Sequence, residues 1–218
     1  MSALRRPAPD LRLYLVTDSR LCGQQGVVAT AAEAAAAGVT AAQLRDKRCT
    51  DADFVTLGRA LCTALRGSGV PLFVDDRVSL VKAIGAAGAH VGQDDMDVAT
   101  ARQVLGPELW LGLSAQTPAQ VAAADSLPPG TVDYLGIGPI WPQATKADAA
   151  LPCGVEGFRE MARATALPCV AIGGIGALRV AQLRRAGAAG VAVVSAICGQ
   201  PDVASAVRGL RRAWEDAA

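Results

Sequence analysis

Short apolar runs alternate with longer Ala-rich stretches along nearly the whole chain. The apolar runs have the length and the β-branched content of buried strands. They predict eight strands, at residues 12–17, 39–44, 70–74, 89–92, 110–114, 133–136, 169–173 and 190–195. The intervening stretches predict helices, at residues 27–37, 51–66, 78–87, 98–105, 118–124, 155–165, 177–186 and 203–214. Glycines just past helical runs predict helix ends, at Gly38, Gly67, Gly88, Gly106 and Gly187.

Eight successive strand–helix units predict a parallel sheet with right-handed crossovers. Eight is also the number of units that closes a (β/α)8 TIM barrel. The alternative is a doubly wound open sheet, which usually carries a Gly-rich turn after its first strand. Residues 17–20, which end the first strand here, contain no Gly-x-Gly-x-x-Gly pattern. We therefore predict an α/β protein with one (β/α)8 TIM barrel domain at residues 11–218, preceded by a disordered lead-in at residues 1–10.

Composition excludes several classes of protein. Of the 218 residues, 51% are apolar and only 4% aromatic, which suits close packing of small side chains. The formal net charge of +1 predicts no general affinity for nucleic acid or for a membrane surface. No run reaches the roughly 18 apolar residues that cross a bilayer, and the first residues lack a signal-peptide core, so a cytoplasmic location is expected. Six cysteines without a Cys-x-x-Cys pair predict neither a disulfide framework nor a zinc site.

Charged residues close the second predicted strand. Side chains alternate between the two faces of a strand, so Gln43, Arg45 and Lys47 should point the same way. One amide and two cations at the end of a buried strand are costly to leave unpaired. A phosphate or diphosphate would suit a planar guanidinium beside a lysine ammonium group. The pattern therefore predicts an anion site.

Other polar residues also gather at the carboxyl ends of the predicted strands, where barrel enzymes build their active sites. They are Asp75, Asp76, Gln93, Asp94, Asp95, Ser114, Gln143, Thr145, Lys146 and Ser195. Asp75-Asp76 and Asp94-Asp95 each precede a predicted helix, so helix capping is one interpretation of both pairs. The other interpretation is a Mg²⁺ site, since that ion takes one or two carboxylates together with substrate phosphates. We predict Asp76 and Asp95 as its ligands.

A second anion site is predicted at the last two strands. The Gly173-Gly174 turn would expose backbone amides at the start of a helix, and Val194 and Ser195 follow the eighth strand. Barrel enzymes commonly bind phosphate at this place. His90 lies within a strand and is interpreted as a hydrogen-bonded structural residue rather than a base. Two anion sites, one with a metal, would suit an enzyme that joins two phosphorylated pieces and releases pyrophosphate.

Eight short motifs follow one another along the chain: Leu13-Tyr14-Leu15-Val16-Thr17-Asp18, Gln43-Leu44-Arg45-Asp46-Lys47, Asp76-Arg77-Val78, His90-Val91-Gly92-Gln93-Asp94-Asp95, Gly136-Ile137-Gly138-Pro139-Ile140, Thr145-Lys146, Ala171-Ile172-Gly173-Gly174-Ile175 and Val193-Val194-Ser195-Ala196-Ile197. In this order, they resemble the thiamine phosphate synthase (thiamine-phosphate pyrophosphorylase) family from residue 13 to about residue 197. The resemblance implies a transferase that couples 4-amino-2-methyl-5-hydroxymethylpyrimidine diphosphate to a thiazole phosphate, with the carboxylated thiazole also accepted. Thiamine phosphate and pyrophosphate are the implied products, formed by a dissociative, Mg²⁺-assisted reaction.

The resemblance also implies the roles of individual residues. The implied contacts to the pyrimidine diphosphate are Gln43, Arg45, Lys47, Asp75, Ser114 and Lys146. Of these, Arg45, Lys47, Lys146 and Ser114 are the implied catalytic residues, and Asp76 and Asp95 are the implied Mg²⁺ ligands. The implied thiazole-phosphate site consists of Gln143, Ala144, Thr145, Gly174, Val194 and Ser195.

Two positions depart from the family pattern. Asp75 stands where the family usually has Asn, which adds negative charge beside the diphosphate, and Gln143 replaces a Thr hydroxyl. Two alternatives remain open: a thiazole tautomerase on the same barrel, and a phosphate-ligand sensor that has lost turnover. The expected partners are two phosphorylated small molecules, without nucleic acid or membrane. A homodimer or higher homo-oligomer is compatible with a barrel of this size.

Overall fold

The computed structural model of the protein describes residues 8–142 and 151–217. Its strands are Leu13–Val16 (β1), Ala41–Leu44 (β2), Leu72–Asp75 (β3), Gly88–Val91 (β4), Trp110–Ala115 (β5), Tyr134–Ile137 (β6), Cys169–Ile172 (β7) and Gly190–Val193 (β8). Each strand pairs in parallel with the next, and β8 pairs in parallel with β1. The sheet is therefore a closed barrel, which confirms the predicted fold. Most of the predicted lead-in, and the segment that contains Gln143 to Lys146, lie outside the described residues.

Helices connect the strands. They are Ser19–Cys22 (α1), Gly26–Ala37 (α2), Asp51–Ala64 (α3), Val81–Ile84 (α4), Val98–Leu105 (α5), Pro118–Asp125 (α6), Gly154–Arg163 (α7), Ala177–Arg185 (α8) and Val203–Glu215 (α9). Short 3₁₀ turns at Gly23–Gln25 and Val78–Leu80 precede α2 and α4. None of the helices in the described ranges is long and apolar enough to cross a membrane. The structure describes all six cysteines, and each carries a free thiol.

The sequence prediction was wrong in the segment between β3 and β4. A single helix was predicted over residues 78–87, but α4 ends at Ile84 because Gly85 follows in the left-handed region, with φ 82°. Gly88 is not a helix-ending residue, since it begins β4. A side chain at Gly88 would collide with the carbonyl oxygen of Trp110 on β5, so the close approach of two strands explains this glycine. The short α1, which was not predicted, begins after Asp18, whose side chain accepts from Leu21 N at 2.9 Å.

Aromatic side chains fill the barrel interior, and polar side chains occupy the inward positions that follow them on the strands. One core cluster lies within the barrel and is dominated by the rings of Tyr14, Phe73 and Tyr134. The Phe73 ring centroid lies 5.5 Å from that of Tyr14 and 5.8 Å from that of Tyr134. Because alternate residues of a strand share a face, the inward positions that follow Phe73 and Ala41 are Asp75 and Gln43. The packed aromatic layer thus forms the floor of a pocket at the carboxyl ends of the strands.

Candidate active site

A cavity of about 160 Å³ opens at the carboxyl ends of the strands. The sequence-predicted residues that line it are Gln43, Arg45, Lys47, Asp75, Asp76, Asp95, Ser114, Gly173 and Val194. Gly174 and Ser195 do not line it, and Gln143, Ala144, Thr145 and Lys146 lie outside the described residues. The structure therefore brings most of the described predicted residues into one pocket.

The three residues at the end of β2 face the cavity together, as their alternation predicted. Gln43 is 5% exposed, whereas the side chain of Lys47 is 54% exposed. Arg45 Nε lies 3.5 Å from Asp75 Oδ2, and Lys47 Nζ lies 3.3 Å from Asp76 Oδ2. These distances are longer than those of a close ion pair, so each cation keeps donors available to an incoming anion.

Carboxylates face these cations across the pocket. Asp75 is mostly buried, and burial, followed by the charge of Asp76, raises its pKa to about 7. Burial and a hydrogen bond to Asp95 raise the pKa of Asp76. Two acidic side chains that share a hydrogen bond must hold a proton between them or gain a cation. Asp76 and Asp95 thus form a close pair whose negative charge is only partly offset by Lys47.

Helix capping does not explain either pair of aspartates, although it was one interpretation of the sequence. The turn at Val78–Leu80 receives no side-chain cap, and α5 is capped by Asp97, which accepts from Thr100 N. Asp76 instead adopts a left-handed backbone with φ 58°, at a cost of about 1 kcal/mol for a residue other than glycine. Its backbone N donates to His90 O at 3.0 Å, which fixes this conformation against β4.

A chain of polar side chains crosses the barrel at the floor of the pocket. Gln43 Nε2 donates to Tyr14 Oη at 3.0 Å, and Tyr14 Oη lies 3.1 Å from Tyr134 Oη. His90 Nδ1 lies 3.1 Å from Tyr134 Oη, and His90 Nε2 lies 2.9 Å from Ser114 Oγ. Both ring nitrogens of His90 are therefore engaged, which agrees with the structural role predicted for it. The two tyrosines were not singled out from the sequence, although each is a polar side chain in a buried strand.

Two glycines make room for this chain. A side chain at Gly112 on β5 would collide with the His90 ring and the Tyr134 hydroxyl. A Cβ at Gly136 on β6 would lie 2.9 Å from His90 Cε1. Enclosure of the ring lowers the pKa of His90 to about 4, so the imidazole is neutral at pH 7.

The lowered pKa of His90 predicts how stability depends on pH. Because the folded pKa lies below the unfolded value of 6.5, the neutral ring stabilises the fold above 6.5, and this contribution is lost as pH falls through about 4. Relative to a His90→Gln variant, the free energy of unfolding should fall by about 2 kcal/mol between pH 7 and pH 4.5. Denaturant titrations of both proteins measure the difference. A difference that does not change with pH would contradict a buried neutral ring.

The turns after β7 and β8 form the other side of the site. Gly173 and Gly174 have φ values of 100° and 69°, which favour glycine. Arg179 Nη1 donates to Gly174 O at 2.5 Å, and its guanidinium lies 4.5 Å above the Trp141 ring. Arg179 falls within the helix predicted over residues 177–186, and its sequence context gave no sign of its proximity to the predicted phosphate turn. Only the tertiary contact with Trp141 reveals it.

Metal-binding capacity in the described residues is limited to pairs of side chains. Nowhere in residues 8–142 and 151–217 do three or more His, Cys, Asp or Glu side chains form a metal cluster. Mg²⁺ nevertheless needs only one or two carboxylates when substrate phosphates and water complete its shell. The acidic pair Asp76 and Asp95 meets that requirement, since both line the cavity.

A closed (β/α)8 barrel with cations and carboxylates in a cavity at the carboxyl ends of its strands has these side chains where barrel enzymes build their active sites. The sequence matches the family profile described as thiamine monophosphate synthase over residues 13–197. The chain therefore belongs to the thiamine monophosphate synthase family, and it is a transferase.

Individual relatives agree with this assignment. The chain is 46% identical over 202 residues to the thiamine-phosphate synthase of Azorhizobium caulinodans, covering 93% of this chain and 94% of the relative. It is 47% identical over 208 residues to that of Xanthobacter autotrophicus, covering 95% and 97%. Among solved structures, thiamine phosphate pyrophosphorylase from Pyrococcus furiosus matches with a TM-score of 0.86 and 33% identity, covering 96% of this chain and 98% of the other.

Proposed function

We propose that the protein is a thiamine phosphate synthase. It would couple 4-amino-2-methyl-5-hydroxymethylpyrimidine diphosphate to 4-methyl-5-(2-phosphoethyl)thiazole, with release of pyrophosphate; the carboxylated thiazole would also be accepted. The observation that carries the proposal is one cavity that combines the Arg45 and Lys47 cations with the acidic pair Asp76 and Asp95. Family membership supports the same reaction.

Arg45 and Lys47 would bind the diphosphate leaving group, with Lys146 as a third cation. A planar guanidinium forms two parallel hydrogen bonds to phosphate oxygens, and an ammonium adds a point charge. Both cations already lie 3.3–3.5 Å from carboxylates, so on binding the anion would replace or share these carboxylates as the partner of each cation. Stabilising the departing diphosphate in this way lowers the barrier to C–O cleavage.

Mg²⁺ fits the residues that are present. Asp76 and Asp95 supply carboxylate oxygens at the cavity wall, and the negative charge of Asp95 helps to raise the pKa of Asp76, a repulsion that a cation would relieve. Both residues would hold the ion against the diphosphate. When bound, Mg²⁺ offsets charge on the leaving group and helps to orient it.

The chemistry requires no protein nucleophile. Loss of pyrophosphate leaves a resonance-stabilised pyrimidine methyl cation, and the thiazole nitrogen then forms the new C–N bond. The electron pair of the broken C–O bond leaves with pyrophosphate, so atoms and charge balance. The protein would align the two reactants and exclude water from the cation. The aromatic floor formed by Tyr14 and Tyr134 suits this role because it presents apolar surface beneath the pocket.

The thiazole phosphate would bind at the turns after β7 and β8. Gly173 and Val194 line the cavity at this edge, and the backbone around Gly174 approaches Trp141 too closely for a larger residue. Gln143, Ala144, Thr145 and Ser195 are proposed to complete the site. Arg179 supplies positive charge beside Gly174, which would favour a phosphate group there.

Asp75 gives a direct test of the diphosphate site. Its carboxylate competes with the substrate for Arg45, and it adds negative charge beside the proposed anion. Asp75→Asn should therefore lower KM for the pyrimidine diphosphate by about three- to tenfold and leave kcat within about twofold. Steady-state kinetics measure both, with the exposed Asp94→Asn as a matched control. An increase in KM would mean that Asp75 itself binds the metal or the substrate.

The reaction itself is tested by incubating the purified protein with both substrates and Mg²⁺. Formation of thiamine phosphate and pyrophosphate in equal amounts is the expected result. Isomerisation of the thiazole phosphate without thiamine phosphate would instead identify a tautomerase. Ligand binding without any product would identify a sensor, and either outcome would rule out the proposed synthase.

A further inference from the structure

Along the polar chain from Gln43 to Ser114, the hydrogen bonds are all donated in one direction. Its two ends are Gln43 on β2 and Ser114 on β5. Tyr14, Tyr134 and His90 connect them, and all five residues line the cavity. Tyr14 is 2% exposed and Tyr134 is fully buried. Buried hydroxyl groups need an acceptor for their proton, so the protons along this chain must be ordered.

The amide of Gln43 sets that order. Its Nε2 faces Tyr14 and can only donate, so the Tyr14 oxygen accepts. The Tyr14 proton then goes to Tyr134 Oη, which is its other hydrogen-bond partner among residues 8–142 and 151–217. Tyr134 in turn donates to His90 Nδ1. The imidazole must therefore carry its proton on Nε2, from which it donates to Ser114 Oγ.

Opposite proton arrangements leave a buried donor unsatisfied. If His90 carried its proton on Nδ1, Tyr134 would donate to Tyr14, and the Tyr14 proton would face the Gln43 amide nitrogen, which is also a donor. The same conflict arises if both imidazole nitrogens are protonated. A buried unsatisfied hydroxyl costs about 1–3 kcal/mol, which is enough to select one direction.

We infer that Tyr14, Tyr134 and His90 are positioning residues that fix Ser114 as a hydrogen-bond donor, and Gln43 Oε1 as an acceptor, toward the substrate ring. With its oxygen already accepting from His90, Ser114 directs its own proton elsewhere. With Nε2 held by Tyr14, Gln43 keeps its carbonyl oxygen for the ligand. This inference deepens the proposed function and rests on it.

The inferred pattern selects an aminopyrimidine. A ring nitrogen accepts from Ser114, and a neighbouring amino group donates to Gln43 Oε1. The 4-oxo analogue reverses both groups, because its ring nitrogen carries a proton and its exocyclic oxygen accepts. A site with fixed hydrogen-bonding groups rejects such an analogue strongly, since its own polar groups are left unpaired.

The chain contains one histidine, so its tautomer can be measured without assignment. In ¹⁵N-histidine-labelled protein near pH 7.5, long-range ¹H–¹⁵N spectra should show a neutral ring protonated on Nε2. In Tyr134→Phe, which removes the donor to Nδ1, the Nε2–H preference should weaken. A wild-type ring protonated on Nδ1 would overturn the inferred direction. This measurement uses the free protein, so it decides the inference even if no thiamine phosphate forms.

Ligand binding tests the functional consequence. Tyr134→Phe should raise Kd for the pyrimidine diphosphate about tenfold and leave Kd for the thiazole phosphate within about twofold. Thr30→Val is the matched control, since it removes a buried hydroxyl of α2 that bonds Gly26 O at 2.9 Å, away from the pocket. Wild type should bind the 4-oxo analogue about a hundredfold more weakly, and Ser114→Ala should reduce this discrimination about tenfold. Equal weakening of both ligands in Tyr134→Phe, or no discrimination in wild type, would contradict the inference.

Discussion

Arg45→Ala should lower kcat for thiamine phosphate formation by about 10²- to 10³-fold, while Kd for the thiazole phosphate changes by less than about twofold. The guanidinium faces the cavity beside Asp75, at the position proposed for the leaving diphosphate. Negative charge on that group grows as the C–O bond breaks. Loss of the guanidinium therefore destabilises the transition state more than the bound substrate. Single-turnover kinetics and calorimetric titration with the thiazole phosphate measure the two quantities.

Two further variants sharpen this prediction. Arg45→Lys keeps the charge but loses the planar pair of donors, so its kcat should lie between those of wild type and Arg45→Ala. Arg48→Ala is the matched control, because Arg48 is exposed and does not line the cavity. Equal losses in turnover and in thiazole-phosphate affinity would show that the assignment of two separate anion sites is wrong.

Asp76→Asn should raise the Mg²⁺ concentration for half-maximal activity by about tenfold or more and lower kcat by about 10²-fold. The amide keeps one oxygen but removes the charge that holds a divalent cation. Asparagine also tolerates the left-handed backbone at this position, where φ is 58°. The substitution therefore tests the charge with little change in local structure. Asp95→Asn should behave alike, and the exposed Asp94→Asn should not.

Stability gives a second readout for Asp76. Burial and the hydrogen bond to Asp95 raise its pKa, so the ionised carboxylate is disfavoured in the folded protein without metal. Asp76→Asn should then be at least as stable as wild type in a chelator, and it should gain less stability when Mg²⁺ and inorganic pyrophosphate are added. A variant that is both less stable and equally responsive to Mg²⁺ would argue for a purely structural role.

The fold and the cation–carboxylate pocket were predictable because they depend on periodicity. Eight apolar runs gave eight strands, and the period of two along Ala41, Gln43, Arg45 and Lys47 placed the polar side chains on one face. Whether the aspartates cap helices was not decided by the sequence. A capping aspartate and a pocket aspartate have the same sequence context, and only the contacts of Asp97 and Asp76 separate them.

Residues that act through distant contacts were missed for a related reason. Tyr14 and Tyr134 are 120 positions apart, and each looks like an ordinary core aromatic until barrel closure places their hydroxyls 3.1 Å apart. In the sequence, Arg179 is one residue of a predicted helix, and its contact with the Trp141 ring exists only in the folded chain. No local pattern encodes either contact, because the partners come from elements that are far apart in the chain.

By itself, the sequence determined the number and order of the strands, the face on which each polar side chain lies, and the family, since all three depend on local spacing and ordered motifs. The tertiary structure alone decided which partners those side chains meet. Closing β8 onto β1 brings Gln43, Tyr14, Tyr134, His90 and Ser114 into one hydrogen-bonded chain. A buried polar group takes its donor or acceptor role from its neighbours, and those neighbours exist only once the barrel is closed.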